Sequence, residues 1–294
     1  MSDSALMHPS ADESFGVRSM TAPLRRALTR RPATTGDFLA AGWRQPDVGL
    51  LARQHEAFCE LLTNLGVEVM VAPAVPGLVD ACYTFDPAFV TSTGAIVLRA
   101  AKPIRVKEPL LLQKELEAAG VPVVGRLEEP AHADGGDLLW LDESTLLAGR
   151  GYRTNAEAHR QLTERLAHEN VKLERCDLAH DRGPGHVLHL LSVVSPVVDD
   201  LALVFEPLAP VTLLEQLDAR GVRRISVDTD EFGTLACNAL AIRPGVVVMV
   251  DGNPRTRRAL EATGCEVHVY DGSELSLKGD GGPTCLTRPL LRRE

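Results

Sequence analysis

Apolar residues recur at helical spacing over five stretches: 50–65 (LLARQHEAFCELLTNL), 107–119, 155–169, 211–220 and 254–263. That spacing predicts helices with one buried face. Near a Gly or Asn each stretch runs into a short β-rich segment. These are VEVMVAP from Val67, VPVVG from Val121, VKLERCD from Val171, VRRISVD from Val222 and CEVHVYD from Cys265, with starts 54, 50, 51 and 43 residues apart. A second β-rich segment precedes each helix: LRRALTR at 24–30, AIVLRA at 95–100, TLLAGR at 145–150, LALVFE at 201–206 and VVVMVD at 246–251. The unit reads as strand, helix, strand and a longer variable loop. Repetition at a near-constant period marks one supersecondary unit copied around an axis. An ordinary doubly wound α/β sheet also alternates strands and helices. Against it, no GxGxxG fingerprint follows any strand, and the loops after the post-helix strands are long. Five copies closing into a ring, with those loops converging at its centre, is the preferred architecture.

Composition narrows the function classes. The 294 residues are 45% hydrophobic, enough for a large core, and no linker divides them, so 1–294 reads as a single α/β domain. Residues 1–20 are polar and Ser/Asp-containing and read as a loose leader. Forty acidic against 31 basic residues give a net charge of −9, and aromatics are 4%. Neither a basic footprint nor a stacking platform for nucleic acid is present. No apolar run approaches the ~20 residues of a membrane helix. The first residues lack the basic-then-apolar order of a signal peptide, and the six cysteines show no CxxC pair. A cytoplasmic protein without disulfides or a thiolate metal site is expected.

The loops after the five post-helix strands hold the chemistry: Asp80 and Asp86 (DACYTFDP), Asp134 and Asp137 (HADGGD), His186 and His189 (HVLHLLS), Asn238 (CNAL) and Cys285 (GGPTCLT). Cys285 follows Gly281-Gly282-Pro283, backbone that leaves a sulfur room to reach a substrate; the alternative is a small buried apolar residue. His189 suits an acid–base partner, since imidazole titrates near neutrality, or a structural histidine at a strand start. The His186/His189 spacing resembles a metal pair, but no third ligand stands at a recognisable distance along the chain. Asp-Gly-Gly-Asp at 134–137 is also what a turn requires for conformational reasons alone. Asp80 and Asp86 could be capping residues, Arg105 and Arg153 solvated ones, and Asn238 could bond its own loop. Together, several carboxylates, a thiol and an imidazole suit a planar cationic substrate, because carboxylates grip guanidinium through paired N–H bonds.

At these positions the sequence resembles the guanidino-group-modifying (amidinotransferase/deiminase) superfamily, and its dimethylarginine dimethylaminohydrolase-like branch above all. The likeness runs from about Val17 to Arg292 and rests on DACYTFDP (80–87), Arg105, DGGDLLW (134–140), GYRTN (151–155), HLLS (189–192) and GGPTCLT (281–287). It implies a five-bladed α/β propeller with pseudo-fivefold symmetry and a central active site. By residue, it implies Cys285 as nucleophile, His189 as general acid–base and Asp134 as the acidic residue of the acid-Gly-Gly-Asp motif. Asp86 would grip the guanidinium, Asp80 would be a nearby substrate-contacting acid, and Arg105 and Arg153 would hold the amino acid's carboxylate. The implied reaction is hydrolysis of a guanidino C–N bond through an S-alkylthiouronium on Cys285, with dimethylarginine or a related substituted arginine giving citrulline. No cofactor or metal is implied. The expected partner is a small guanidino substrate, with a homodimer allowed.

Two departures shape the expectation. Dimethylaminohydrolases carry adjacent acids where this chain has Phe85-Asp86, and deiminases place an acid two residues after the catalytic His, where this chain has Leu191. Deiminases and dihydrolases also carry Asn at the position of Asp80. An amidinotransferase, an arginine deiminase or dihydrolase, and an inactive guanidine-binding homologue stand as alternatives.

Overall fold

The computed structural model describes residues 14–294. Five modules follow one another. The first is β1 (Leu24–Arg30), α1 (Val48–Asn64) and β2 (Glu68–Ala72), and the second β3 (Ala88–Val90), β4 (Ala95–Val97), α2 (Glu108–Ala118) and β5 (Val123–Arg126). The third is β6 (Leu138–Asp142), β7 (Thr145–Arg150), α3 (Ala156–Leu166) and β8 (Lys172–Asp177). A short α4 (Leu190–Val193) leads into the fourth: β9 (Val194–Val198), β10 (Leu201–Val204), α5 (Val211–Ala219) and β11 (Arg223–Ser226). A short α6 (Thr229–Phe232) leads into the fifth: β12 (Leu240–Arg243), β13 (Val246–Val250), α7 (Pro254–Ala262) and β14 (Glu266–Tyr270), after which β15 (Arg288–Arg292) ends the order.

All five predicted helices are present, and each joins two parallel strands of one sheet, as a crossover must. The residues that end these helices explain the Gly/Asn punctuation. Gly66, Gly120, Gly221 and Gly264 have φ between +67° and +90°, and Asn170 takes φ 57° at the corresponding place after α3. A left-handed residue there turns the chain from helix into strand, and Gly or Asn adopts it at least cost. At the other end, Asp47 caps α1 by accepting from the amides of Gly49 and Leu50, both at 2.9 Å, and Asn155 caps α3 through Ala158 N at 2.9 Å.

Each sheet has three strands, one more than the sequence pattern predicts. The additional strand pairs antiparallel with the strand that precedes the helix, and in modules two to five it lies in the stretch read as loop. These strands are three to five residues long and buried on both faces, so they show no alternation. In the first sheet that place is taken by β15, giving the order β15-β1-β2. The last strand thus completes the first module.

The middle strands read as apolar runs because each separates two cores. Leu146 and Ala148 of β7 face the core shared by modules one to three, while Leu147 faces that of modules three and four. Likewise Ala202 and Val204 of β10 join the latter, and Leu201 and Leu203 join the core of modules four and five. On β13, Val247 and Met249 stay with that core, while Val246, Val248 and Val250 join module five to module one. Period-two alternation between two apolar environments leaves no polar face to read.

One expectation is corrected at the N-terminus. Residues 1–13 lie outside the described residues, but 14–20 are not loose. Gly16 N donates to Leu290 O at 2.8 Å, Gly16 O accepts from Arg292 N at 2.9 Å, Val17 is buried, and Arg18 pairs with Glu169 at 3.1 Å. The segment binds β15 through main-chain hydrogen bonds that its polar composition does not reveal. Among the described residues, no helix is long and apolar enough to cross a membrane.

The fourth–fifth core generates a direct test. Leu203→Ala, at a fully buried position, is expected to cost about 2–5 kcal/mol in urea unfolding. Leu39→Ala, at an exposed one, is expected to stay within about 0.5 kcal/mol.

Candidate active site

A cavity of about 560 Å³ opens among the loops of the modules, and both Cys285 and His189 line it, with Asp80, Arg105, Arg153 and Asn238. Cys285 sits in the turn between Pro283 and β15, half-buried. Its carbonyl accepts from Phe85 N at 3.1 Å, and its sulfur accepts from Asn238 Nδ2 at 3.2 Å. Asn238 is held in turn by Thr284 N, which donates to its Oδ1 at 3.1 Å. Burial, with Asp86 adding to it, pushes the thiol up to about 11 against the opposing Asn238 bond.

His189 is the residue before α4, buried, and its Nε2 lies 3.1 Å from Asp134 Oδ2. Asp86 Oδ1 stands 3.9 Å from Nδ1 on the other side of the ring. Burial alone would depress the imidazole; the charges of Asp86 and Asp137 and the Asp134 contact overcome it and raise His189 to about 9. The ring is therefore an imidazolium at neutral pH, ready to donate. Asp137 orients the segment: its Oδ1 accepts from Leu190 N at 3.0 Å and its Oδ2 from Thr154 Oγ1 at 2.6 Å. Burial raises that carboxyl to about 6.

Asp86 accepts from Arg105 Nη1 at 2.6 Å through Oδ2 and from Gly136 N at 3.0 Å through Oδ1. Burial opposes ionisation, but His189⁺ and Arg105⁺ prevail and hold the carboxyl down at about 2. Arg105 is itself buried and bonded to Glu108 (2.8 Å) and Tyr83 O (3.3 Å) as well. Burial works against this guanidinium, yet Glu108 and Asp86 raise it well above its usual range. Burial in turn pushes Glu108 up to about 7 against the pull of Arg105. Asp80 has both oxygens engaged, by Trp43 Nε1 at 2.7 Å and Lys102 Nζ at 2.6 Å. Arg153 reaches Asp134 Oδ2 at 3.3 Å.

The structure thus brings all seven predicted site residues to one region. It also supplies partners that sequence reasoning passed over. Lys102 and Glu108 flank Arg105 in KPIRVKE, and that charge density was their signal. Asp137 was visible in the motif but without a role, and Trp43 carried no local signal. His186 lines the cavity too. The described carboxylate, thiol and imidazole groups able to gather about one ion, however, are Asp86, Asp134 and His189, whose donor atoms lie within 4.8 Å of one another. His186, whose spacing to His189 resembles a metal pair in the sequence, is not part of that group.

The glycines of DGGD serve space rather than turn conformation. Neither Gly135 nor Gly136 has positive φ. A Cβ on Gly136 would stand 2.4 Å from His189 Nδ1, and one on Gly135 2.2 Å from Phe85 O. Similarly, a Cβ on Gly281 would meet the Tyr83 ring at 2.2 Å and one on Gly282 would meet Asn238 at 2.6 Å. Phe85 has the Arg288 guanidinium 4.0 Å above its ring.

A sulfur and a protonated imidazole sharing a cavity, backed by buried carboxylates, define the class: a thiol-bearing site built for a cationic group, on five α/β modules. Comparison with known proteins agrees: the chain is similar to guanidino-group-modifying enzymes and has a dimethylaminohydrolase-like fold. A family model described as "Arginine deiminase" matches residues 215–292, which include Asn238 and Cys285. The uncharacterized protein YkgA of Bacillus subtilis is 28% identical over 82% of this chain and 80% of its own. The arginine deiminase of Listeria monocytogenes is 28% identical over 71% of this chain, which spans 60% of that enzyme's length. Among solved structures, a dimethylarginine dimethylaminohydrolase adduct with 4-chloro-2-hydroxymethylpyridine has TM-score 0.74 at 25% identity, over 90% of this chain and 98% of that one. The dimethylaminohydrolase of Pseudomonas aeruginosa complexed with citrulline has the same TM-score and coverage at 23%. The N-terminal domain of a cyanobacterial arginine dihydrolase bound to substrate reaches 0.79 at 19%, over 91% and 98%.

The crowding at Gly136 is testable. Gly136→Ala is expected to push the His189 ring off Asp86 and lower kcat by at least about tenfold, with the far-UV circular dichroism unchanged. Wild-type kcat in that variant would show that the ring position is not critical.

Proposed function

We propose that this chain is a single-domain hydrolase of guanidino C–N bonds, its five sheets closed as the blades of an α/β propeller around the cavity. One observation carries the reading: Cys285 and His189 line the same cavity while Asp86 and Asp134 flank the imidazole. In this reaction the Cys285 sulfur forms a bond to the guanidinium carbon, and the C–N bond to the departing amine breaks. His189 supplies that amine's proton. The resulting S-alkylthiouronium is attacked by water, whose proton returns to His189; the C–S bond then breaks and a ureido product leaves. Asp86 and Asp134 stabilise the delocalised cation in both steps, and Asp137 positions His189 through the start of α4.

Protonation states set the pH dependence. The free protein holds a thiol (about 11) beside an imidazolium (about 9). The productive pair is thiolate with imidazolium. Its population rises with pH until His189 deprotonates at about 9, stays level to about 11, and then falls as the imidazolium is lost. A cationic substrate beside the sulfur favours thiolate further. kcat/KM is therefore expected to rise through neutrality to a maximum between pH 9 and 11 in a buffer series; an optimum below pH 7 contradicts the assignment. The same values fix a stability consequence. His189, raised above its unfolded value, stabilises the fold fully below about pH 6.5. That contribution is lost as pH rises through about 9.

The deciding assay offers dimethylarginine, arginine and simple guanidines and measures ureido product, ammonia and alkylamine separately. Dimethylamine with citrulline supports a dimethylarginine substrate, ammonia from arginine supports deimination, and transfer to an added amine without ureido product replaces hydrolysis by amidino transfer. Cys285→Ala is expected to lower kcat by at least about 10³-fold while guanidine binding by calorimetry persists. Undiminished turnover would remove the covalent mechanism.

A further inference from the structure

The cavity lining is of two kinds: polar side chains such as Asp80, Arg105 and Asn238, and an apolar wall of Val187, Leu188, Phe205, Leu208, Phe232 and Leu235. Phe205 and Phe232 are stacked with ring centroids 3.7 Å apart and planes within 9°, giving that wall a rigid aromatic patch. Leu235 holds φ at +66°. A leucine in the left-handed region is unfavourable, and Gly or Asn would take it at less cost, so the side chain is kept despite its backbone.

Of the groups that would receive an amino-acid head, Asp80 and Arg105 are already occupied within the protein, while Arg153 has its Nη1 on Asp134 Oδ2. Asp80, an acceptor for an α-ammonium, has one oxygen on Trp43 and the other on Lys102. Arg105, a donor for an α-carboxylate, spends its Nε and both Nη atoms on Glu108, Asp86 and Tyr83 O. Phe85, next to Asp86, is turned to Arg288. Asp181 on the cavity rim lies 3.5 Å from Arg182. At Asp80 or Arg105 a zwitterionic head would have to break existing ion pairs to be bound, whereas an apolar tail gains by burial against the aromatic wall and breaks none.

We propose that the substrate is a guanidine bearing an apolar tail, an N-alkyl- or N-aralkylguanidine, with the guanidinium at Asp86 and Asp134 and the tail on the Phe205–Phe232–Leu235 wall. This rests on the guanidino reading above and names the substrate class within it. Hydrolysis balances as for any guanidine: hexylguanidinium and water give hexylurea and ammonium, or urea and hexylammonium.

The test compares kcat/KM for methylguanidine, butylguanidine, hexylguanidine, 4-guanidinobutyrate and dimethylarginine on the full chain, with products identified by mass spectrometry. The expected result is a rise of about fourfold per added methylene along the alkyl series, with hexylguanidine above both compounds that carry a carboxylate. In Leu235→Gly, which relieves the backbone strain, and in Phe232→Leu, the hexyl-to-methyl ratio is expected to fall at least about fivefold. A flat alkyl series, or a higher value for dimethylarginine or 4-guanidinobutyrate, overturns the tail and leaves the guanidino reading standing. An unchanged ratio in both variants overturns the wall. Turnover of no guanidine at all overturns the guanidino reading and the tail with it.

Discussion

The buried ion pair between Arg105 and Asp86 is the constraint on which the site depends. Neither group could be ionised there alone, since desolvating an isolated charge costs several kcal/mol. Together, with Glu108 on the far side of the guanidinium and the Gly136 amide on the carboxylate, they remain charged. Asp86 in turn keeps His189 protonated, and its negative charge helps keep Cys285 a thiol. The same carboxylate therefore holds both the proposed acid and the proposed nucleophile in their protonated forms. The site rests in a form that is stable and unreactive, and a cation arriving beside the sulfur changes the balance.

Backbone geometry reinforces the charge arrangement. Asp137 grips the first amide of α4 and a threonine from the stretch before α3, so His189 is held through the main chain at the start of α4 as well as by its own contact with Asp134. Gly135 and Gly136 bring the 134–137 segment against Phe85 and the imidazole at distances that no other residue permits. On the opposite side, Gly281 and Gly282 do the same for Tyr83 and Asn238. The two glycine pairs determine how near the acid-bearing loop, the histidine and the cysteine come to one another.

Much of this was legible in the chain. Helix and parallel-strand positions followed from apolar spacing and from left-handed residues such as Gly66 and Asn170, because both effects are local. Asp80, Asp86, Asp134, His189 and Cys285 were legible as candidates because they stand in the loops after successive post-helix strands, and Arg105 and Arg153 through the family resemblance alone. What stayed hidden was non-local. The third strand of each sheet is short and buried on both faces, so it carries no period. Residues 14–20 look solvated but are fastened by main-chain hydrogen bonds to β15. Lys102 and Trp43 owe their importance to Asp80, and Arg105 turned out to be an internal partner of Asp86, something that only the folded distances reveal. The glycines of the 134–137 motif were readable as necessary, though for the wrong reason: crowding rather than turn shape.

The pairing of β15 with β1 has a consequence for how the molecule is made. Because the first sheet lacks its outer antiparallel strand until residues 288–292 emerge from the ribosome, every earlier intermediate carries an open edge at its oldest element. Cys285 lies just ahead of that closing strand and takes its carbonyl contact from Phe85, two hundred residues upstream in the chain. Its neighbours Asn238 and Asp86 are likewise brought to it only by the fold, from far upstream in the chain. Cys285, the proposed nucleophile, is thus set in place late, and a nascent polypeptide carries it as an ordinary thiol, without the burial and the Asp86 charge that raise it in the fold.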